Sequence, residues 1–283
     1  MIPRFIADLG SNHNQNYERL TRLGREAKRI GCSAVKLQMF DERLYRDSNA
    51  TPKERILSKD FVREFSAFCK YELELPFICT PFNLEAVDFL KEFVNEFKIG
   101  SYEILYLDLI KACAKTGLPI SISTGGANLR EMEAAVTTFR LNYKTSHPII
   151  KRPLPISLYH CSPFYPADKW HACIGDIYLL SSLFKEIPIG YSDHTTHPDV
   201  IYTAIIAGAT GIEFHLDLDD QKGWESQHGH CWTPIAMEEV ILKIKQWAKI
   251  MQGAPDENKT RQMRAARTDP TDGSRPLLSK GEI

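Results

Sequence analysis

The sequence predicts an α/β fold, a single (β/α)8 TIM barrel with a short irregular C-terminal tail, and three observations support it. Short apolar runs alternate with amphipathic stretches eight times, which is the pattern of parallel βαβ units. These repeats end near residue 253, and about 250 residues is a usual length for such a barrel. No GxGxxG sequence follows the first run, which disfavours the alternative of an open doubly wound sheet.

Each predicted strand is a short apolar run, and each predicted helix is the amphipathic stretch that follows it. In chain order the strands are Phe5–Leu9, Ala34–Gln38, Pro76–Thr80, Phe97–Gly100, Pro119–Ser123, Ile156–His160, Pro188–Ser192 and Gly211–His215. The helices are 17–30, 61–74, 84–94, 107–116, 129–141, 177–184, 200–208 and 235–251. Residues 254–283 are polar and rich in Pro, Gly, Asp and Arg, so we predict a barrel domain over 1–253 and a tail over 254–283.

Composition narrows the class of protein. The 35 basic and 36 acidic side chains nearly cancel, so nothing indicates a nucleic-acid surface or an acidic membrane partner. No apolar run approaches the roughly 20 residues that span a bilayer, and the N-terminus does not resemble a signal peptide. The seven cysteines form no CxxC pair, which favours reduced thiols over a disulfide or zinc framework. We therefore expect a cytoplasmic protein.

Polar residues at the carboxyl ends of the predicted strands form one candidate site, because the chemistry of TIM barrels lies at that face. Lys36 and Gln38 alternate with apolar neighbours, so both point to the same side of their strand. A buried ammonium is costly unless it meets an anion. Lys36 and Lys98 therefore indicate an anionic ligand, and structural ion pairs with Asp8 or Glu103 are the alternative.

Two further groups of residues at strand ends each allow a ligand-binding and a purely structural interpretation. His194 and His215 end neighbouring strands, so their imidazoles could share a divalent ion at an open site, or they could be satisfied core histidines. The turn Ser123-Thr124-Gly125-Gly126 could hold a phosphate at the start of the next helix, or it could be an ordinary helix start.

Taken together, these segments resemble the sialic-acid synthase family, which also makes legionaminic and pseudaminic acids. The matching stretches occur in order over nearly the whole barrel. They are Ile6–Asn14, Ala34–Gln38, Thr80–Phe82, Lys98–Ile104, Ile122–Gly125, His160-Cys161 with Tyr165-Pro166, Gly190–Thr195 and Gly208–His215.

The resemblance implies that C3 of phosphoenolpyruvate attacks the aldehyde carbon of an open-chain N-acyl hexosamine. Water adds at C2 and phosphate leaves by C–O cleavage. It also implies a divalent ion, Mn²⁺ first, with Mg²⁺ or Co²⁺ as alternatives, held by His194 and His215 and acting as a Lewis acid. The implied partners are these small molecules, with no nucleic acid and no membrane, and a homodimer is left open.

The resemblance assigns roles to individual side chains. It implies catalytic roles for Asp8, Glu103, His194 and His215, with the two carboxylates close to the sugar and the reacting centre. The implied substrate-binding residues are Lys36, Gln38, Thr80, Lys98, Ser101, Ser123, Tyr165 and Ser192, with Tyr165 at the sugar end.

Four departures from the family pattern matter. Pro163 stands at a position that is often Asn or Ser in the family, so one polar contact is lost. Asp8 stands where the family usually has Glu. The loop after the eighth strand reads Trp224–Trp232 in place of an acidic Gly-Pro-Asp segment, with Gln227 expected at the Asp position, and it could be a substrate lid or a packed loop. The chain ends at Ile283, too early for the C-terminal antifreeze-like domain that contacts the sugar in the family.

Two other functions stay open at this point. One is a metal-dependent aldolase or isomerase on the same barrel. The other is a non-catalytic sugar-binding relative, against which the retained Lys36, Lys98, His194 and His215 argue, because buried charges are costly to keep without a use.

Overall fold

In the computed structural model, eight parallel strands form a closed barrel, and each is followed by a helix. The structure describes residues 2–40, 55–144 and 154–251. Each strand pairs in parallel with the next, and the first pairs with the eighth over Arg4–Asp8 and Gly211–His215. This closure confirms the predicted (β/α)8 TIM barrel.

The strands end within one or two residues of the predicted positions. In chain order they are β1 Arg4–Asp8, β2 Ala34–Met39, β3 Phe77–Pro81, β4 Glu96–Ile99, β5 Ile120–Ser123, β6 Ile156–His160, β7 Ile189–Asp193, β8 Gly211–Leu216 and β9 Cys231–Trp232. The short β9 was not predicted. It pairs with β8 at His215 and Leu216, on the carboxyl end of the barrel.

The helices follow the amphipathic stretches, and side-chain caps fix several of their starts. They are α1 Tyr17–Ile30, α2 Lys59–Phe68, α3 Leu84–Leu90, α4 Leu107–Thr116, α5 Leu129–Asn142, α6 Gly175–Leu183, α7 Pro198–Ile206 and α8 Pro234–Met251. Asn16, Asn83 and Asn128 each accept a backbone N–H from the first turn of the helix that follows. The predicted helix 61–74 is divided, because a π-helical turn over Cys69–Leu73 follows α2.

Side chains alternate along the strands between two environments. Val35 and Leu37 belong to the large apolar core shared with the helices, whereas the inner floor of the barrel is a separate small cluster of Ile6, Ala34, Ile78 and Tyr159. Polar side chains lie above this floor. Lys36 therefore points into the barrel, as the alternation predicts, and the barrel interior becomes polar toward its carboxyl end.

Contacts divide the chain into Met1–Ile244, which contains the barrel strands, and Lys245–Ile283. The described part of the second unit is the helical segment 245–251. The predicted tail over 254–283 lies outside the described residues, so the domain boundary at 253 stays a prediction. Among the described helices, none has both the length and the apolar character that a membrane span requires.

Candidate functional site

A cavity of about 580 Å³ opens at the carboxyl ends of the strands. Every residue that the sequence singled out as a site residue lines it. These residues are Asp8, Lys36, Gln38, Thr80, Lys98, Ser101, Glu103, Ser123, Tyr165, Ser192, His194 and His215. Their convergence follows from the parallel strands, which bring all their carboxyl ends to one face.

A buried network of charges forms the base of the cavity. Lys36 Nζ lies 2.7 Å from Asp8 Oδ2 and 3.4 Å from Glu213 Oε1. Lys98 Nζ lies 2.6 Å from the same Glu213 oxygen, which also accepts from Ser192 Oγ at 3.1 Å. Glu213 Oε2 is buried, and no described atom donates a hydrogen bond to it. One carboxylate oxygen is thus shared by two ammonium groups.

Electrostatics within this network separates the two lysines. Burial lowers the pKa of Lys36, but Asp8 and Glu213 outweigh it and raise the value above the ordinary 10.5. For Lys98 burial dominates over the attraction of Glu213, and nearby Lys36 adds repulsion, so its pKa is lowered. Burial opposes ionisation of Glu213, yet the two lysines overcome it and hold its pKa below 4.5.

The structural ion pairs that the sequence left open as an alternative are therefore partly formed. Lys36 pairs with Asp8, as that alternative specified, whereas the second acidic partner is Glu213 instead of Glu103. Both lysines nevertheless line the cavity. Ion pairing among these residues thus leaves the anionic-ligand reading open, because an entering anion can reach both ammonium groups.

The polar side chains around the lysines are held by short local contacts. Gln38 Nε2 donates to Asp8 Oδ2 at 2.7 Å. Ser101 Oγ accepts from the backbone N–H of Gly125 at 3.1 Å. A Cβ at residue 125 would lie 2.9 Å from both Ser101 Oγ and Cys161 Sγ, so only glycine lets this turn approach so closely. The turn that the sequence proposed for phosphate binding is therefore packed against Ser101.

His194 and His215 both line the cavity, and each uses its Nδ1 for a contact with the protein. His194 Nδ1 lies 2.8 Å from Ser162 O, and His215 Nδ1 lies 2.8 Å from Glu225 Oε2. Because the carbonyl oxygen can only accept, Nδ1 of His194 carries the proton and its Nε2 keeps a lone pair. The two ring centroids are 5.6 Å apart. A carboxylate behind a histidine, as at His215, is the usual support of a metal ligand.

The two imidazoles differ in how easily they take up a proton. Burial, together with the neighbouring His215, holds the pKa of His194 well below 6.5. Burial also lowers the pKa of His215, but Glu225 and Asp8 outweigh it and raise the value. A cation that binds His215 must therefore displace a proton, which makes such binding weaker at low pH.

These residues fit a divalent ion. Two histidines held through Nδ1 can offer Nε2 lone pairs. Among the described residues, the group whose ligand atoms all lie within 4.8 Å of one another is His215, Glu225 and His230, and His194 lies outside that group. The Nδ1 of His230 is buried without a hydrogen-bond partner among the described atoms. Nitrogen and carboxylate donors of this kind suit Mn²⁺, Co²⁺ or Zn²⁺.

The loop between β8 and β9 is packed instead of free. Asn12 Oδ1 accepts from the backbone N–H groups of Glu225 and Ser226, at 2.9 and 3.3 Å. Glu225 Oε1 accepts from Ser11 N at 3.0 Å. Gly10 adopts a left-handed φ of +46°, and a Cβ there would overlap the Glu225 carboxylate. This segment therefore has the contacts of a packed loop, but Trp224, His228 and His230 also line the cavity, so the lid alternative stays open.

Two predicted residues form the upper wall. The ring of Tyr165 stacks on His194 with centroids 3.8 Å apart and lies edge-on to His215 at 5.9 Å. Glu103 is the last residue of the 3-10 turn Ser101–Glu103 after β4, and burial raises the pKa of its carboxyl group. A carboxyl group with a raised pKa keeps its proton closer to neutral pH, so it can act as a general acid.

Sequence reasoning missed several cavity residues. Glu213 was detectable, because it lies two residues before His215 on the same strand and so faces the same side. Glu225 was also missed, and its Oε2 lies 2.8 Å from Nδ1 of His215. The expectation that Gln227 occupies the Asp position of the family stays a prediction. An aromatic wall adds Phe82 stacked on Phe40 at 4.3 Å, with Arg55 over Phe40 at 3.9 Å.

Comparison with known proteins gives a consistent family assignment. A family model described as the NeuB family matches residues 24–255. An uncharacterised protein of Methanocaldococcus jannaschii is 31% identical over 255 residues, which cover 88% of this chain and 72% of that protein. The N-acetylneuraminate-9-phosphate synthase of Drosophila melanogaster is 30% identical over 258 residues, covering 84% of this chain and 66% of the fly protein.

A solved structure extends the likeness to three dimensions. The sialic acid synthetase of Leptospira borgpetersenii, solved in complex with citrate, superposes with a TM-score of 0.79 at 26% identity. The match covers 94% of this chain and 91% of that one. The similarity therefore includes the barrel and the order of its elements.

Proposed function

This chain belongs to the NeuB family, and from that premise we propose that it is a phosphoenolpyruvate-dependent synthase. It condenses phosphoenolpyruvate with an N-acyl hexosamine, or a related sugar aldehyde, to a sialic-acid-like nonulosonate and releases phosphate. The relatives named as sialic, legionaminic and pseudaminic acid synthases support a condensation of this type. The reaction occurs in the barrel domain over 1–253, in a cytoplasmic protein.

One observation carries the proposal. The ammonium groups of Lys36 and Lys98 and the imidazoles of His194 and His215 line a single cavity. Phosphoenolpyruvate is a small polyanion, and two cationic groups at the base of a closed barrel provide the charge that it requires. The imidazoles of His194 and His215 form a second, chemically different part of the cavity, in which the aldehyde of the acceptor can be polarised.

The serine and amide side chains complete the phosphoenolpyruvate half. Ser101, Ser123 and Ser192 offer hydroxyl groups at the carboxyl ends of β4, β5 and β7, and Gln38 on β2 and Thr80 on β3 line the same cavity. Hydroxyl groups hold a phosphate without adding charge. Asp8 contacts both Lys36 and Gln38 through Oδ2, so it positions these two ligands in addition to the catalytic role that the family resemblance implies for it.

A divalent ion, with Mn²⁺ expected first, would be held by His194 and His215. When bound, it supplies Lewis-acid polarisation of the aldehyde oxygen and orientation for the attacking water. Glu103 donates the proton that the aldehyde oxygen needs as C3 of phosphoenolpyruvate attacks, because burial keeps its carboxyl group protonated to higher pH. Tyr165, stacked on His194, contacts the acceptor sugar.

A phosphate-release screen tests the proposal. Purified protein is incubated with phosphoenolpyruvate, Mn²⁺ and each member of a panel of acylated hexosamines. We expect phosphate release that requires both substrates, and a keto-acid product that contains the carbons of both. An aldolase or isomerase would act without phosphoenolpyruvate, and a sugar-binding relative would bind the acceptor without turnover; either result would refute the synthase.

The metal assignment has its own variant. His215→Ala should abolish both turnover and metal binding while the far-UV circular dichroism spectrum stays unchanged. Wild-type activity in this variant would show that the metal assignment is wrong. The mass of the protein in solution would show whether it forms the homodimer that the sequence left open.

A further inference from the structure

His230 is a buried imidazole for which the proposed reaction has no use so far. Its residue is 5% exposed, and no described atom forms a hydrogen bond with its Nδ1. Buried polar nitrogens in folded proteins nearly always have a hydrogen-bond partner, because an unpaired one loses its hydration without compensation. His230 also lines the cavity, so a ligand bound there can supply the missing partner.

The ring lies in the same cluster as the other two cavity histidines. Its centroid is 4.7 Å from that of His215, with the rings nearly perpendicular at 83°. It is 5.2 Å from the ring of Tyr165, which itself stacks on His194. Three imidazoles thus surround one tyrosine ring, and all three line the cavity.

The backbone around His230 is fixed by contacts on both sides. The next residue, Cys231, pairs with His215 in the β8–β9 ladder, and its Sγ lies 3.3 Å from Asn12 Nδ2. Trp232 Nε1 donates to Asp193 Oδ2 at 2.7 Å. Because β9 is paired beside His215 itself, the position of one histidine determines that of the other. Such preorganisation is typical of ligand sites.

We propose that His230 is a third protein ligand of the divalent ion, beside His194 and His215. The inference rests on the proposed function for the existence of the ion, and it adds a ligand and a metal preference. A third imidazole makes the donor set richer in nitrogen, which favours Co²⁺ and Zn²⁺ over Mn²⁺ and Mg²⁺. Coordination of the ion through the lone pair of His230 Nδ1 would also give this unpaired nitrogen a partner.

Cobalt titration of the full-length, chelator-treated protein tests this inference, with visible absorption of Co²⁺ as a readout independent of activity. We expect His230→Gln to weaken Co²⁺ binding by about tenfold or more and Mn²⁺ binding by less, so that the affinity ratio of the two ions falls. The matched control is His228→Gln. His228 lies on the same loop but is exposed, with Nδ1 3.2 Å from Trp224 O, so Co²⁺ affinity should not change.

A second variant guards against a folding defect. His230→Cys replaces the imidazole with a thiol, and a coordinated thiolate adds a sulfur-to-cobalt charge-transfer band in the near ultraviolet. The band should appear in the variant and be absent from the wild-type protein, which already contains Cys231 next to this position. Thermal melting of both variants confirms that they are folded.

The outcomes separate the two proposals. Wild-type Co²⁺ affinity and spectrum in His230→Gln, together with no new band in His230→Cys, would overturn the third ligand. If phosphate release is intact in the wild-type protein, that result leaves the proposed function standing. If the wild-type protein binds no Co²⁺, or His215→Ala binds it equally well, both the third ligand and the metal assignment fail.

Discussion

Replacing Glu225 with glutamine should separate folding from metal binding. Both carboxylate oxygens of Glu225 accept hydrogen bonds, Oε1 from Ser11 N at 3.0 Å and Oε2 from His215 Nδ1 at 2.8 Å. A glutamine has one acceptor oxygen and one amide NH₂, so it satisfies only one of these two donors. Ser11 N cannot change its role, so the oxygen stays with Ser11 and the NH₂ faces His215.

The consequence for His215 follows from its two tautomers. To accept from the NH₂ group, Nδ1 must lose its proton, and the neutral ring then carries the proton on Nε2. The lone pair on Nε2, which the metal assignment requires, is lost. Loss of a supporting hydrogen bond behind a metal ligand costs about 10–100-fold in affinity, which corresponds to about 1.4–2.7 kcal/mol.

Calorimetric titration of the chelator-treated Glu225→Gln protein with Mn²⁺ measures this loss of metal affinity. The variant should stay folded, with a free energy of unfolding lower by about 1–3 kcal/mol. Gln227→Ala, an exposed substitution on the same loop, is the control and should bind Mn²⁺ normally. Unchanged affinity in Glu225→Gln would refute the reasoning, because it would mean that the proton position on His215 does not govern the site.

Three more predictions concern stability. Lys98→Met should lower the free energy of unfolding by about 3 kcal/mol, because the buried Glu213 loses the ammonium group of Lys98. Adding Glu213→Gln removes the uncompensated charge and should recover part of the lost stability in denaturant melts. Equal stability of the single and double variants would contradict this explanation. Burial lowers the pKa of His13 from 6.5 to about 4, so its neutral ring contributes stability that is complete above pH 6.5 and is lost as the pH falls toward 4. The loss of stability is about 3 kcal/mol. The difference in unfolding free energy between the wild-type protein and His13→Gln should therefore shrink by that amount from pH 7 to pH 4. A difference that does not depend on pH would disprove the lowered pKa of His13. Gly211→Ala should lower the melting temperature, because its Cβ would lie 2.4 Å from the hydroxyl oxygen of Tyr159, and Tyr159→Phe should restore part of the loss; no effect of the second change would show that the clash lies elsewhere.

The fold was predictable because its elements carry their own signal. Each strand is a short apolar run and each helix an amphipathic stretch, so the periodicity of the sequence locates both. The ends of the helices were less predictable than their positions. The helix predicted over 84–94 stops at Leu90, although Val94 stays buried, because the chain must turn there to begin β4 at Glu96.

The base of the site was predictable for a similar reason. Lys36 and Lys98 lie inside strands, and a parallel barrel brings strand ends together whatever the intervening sequence. Glu225 and His230 lie in a loop with no periodic pattern, and their positions depend on hydrogen bonds with residues more than 200 positions earlier, such as Asn12. β9 is two residues long, too short for any alternation to reveal it.

The seam between β1 and β8 has a consequence for assembly of the active centre. The imidazole of His215 is oriented by Glu225, and Glu225 is oriented by the turn after β1, so first and last strands must be neighbours before the ligand geometry exists. Contacts this distant along the chain form late, because the entropy of closing a long loop must be overcome first. If His215 binds the proposed ion, the capacity to coordinate it is therefore acquired only when the barrel closes, and a nascent chain that has not yet paired its final strand lacks this arrangement.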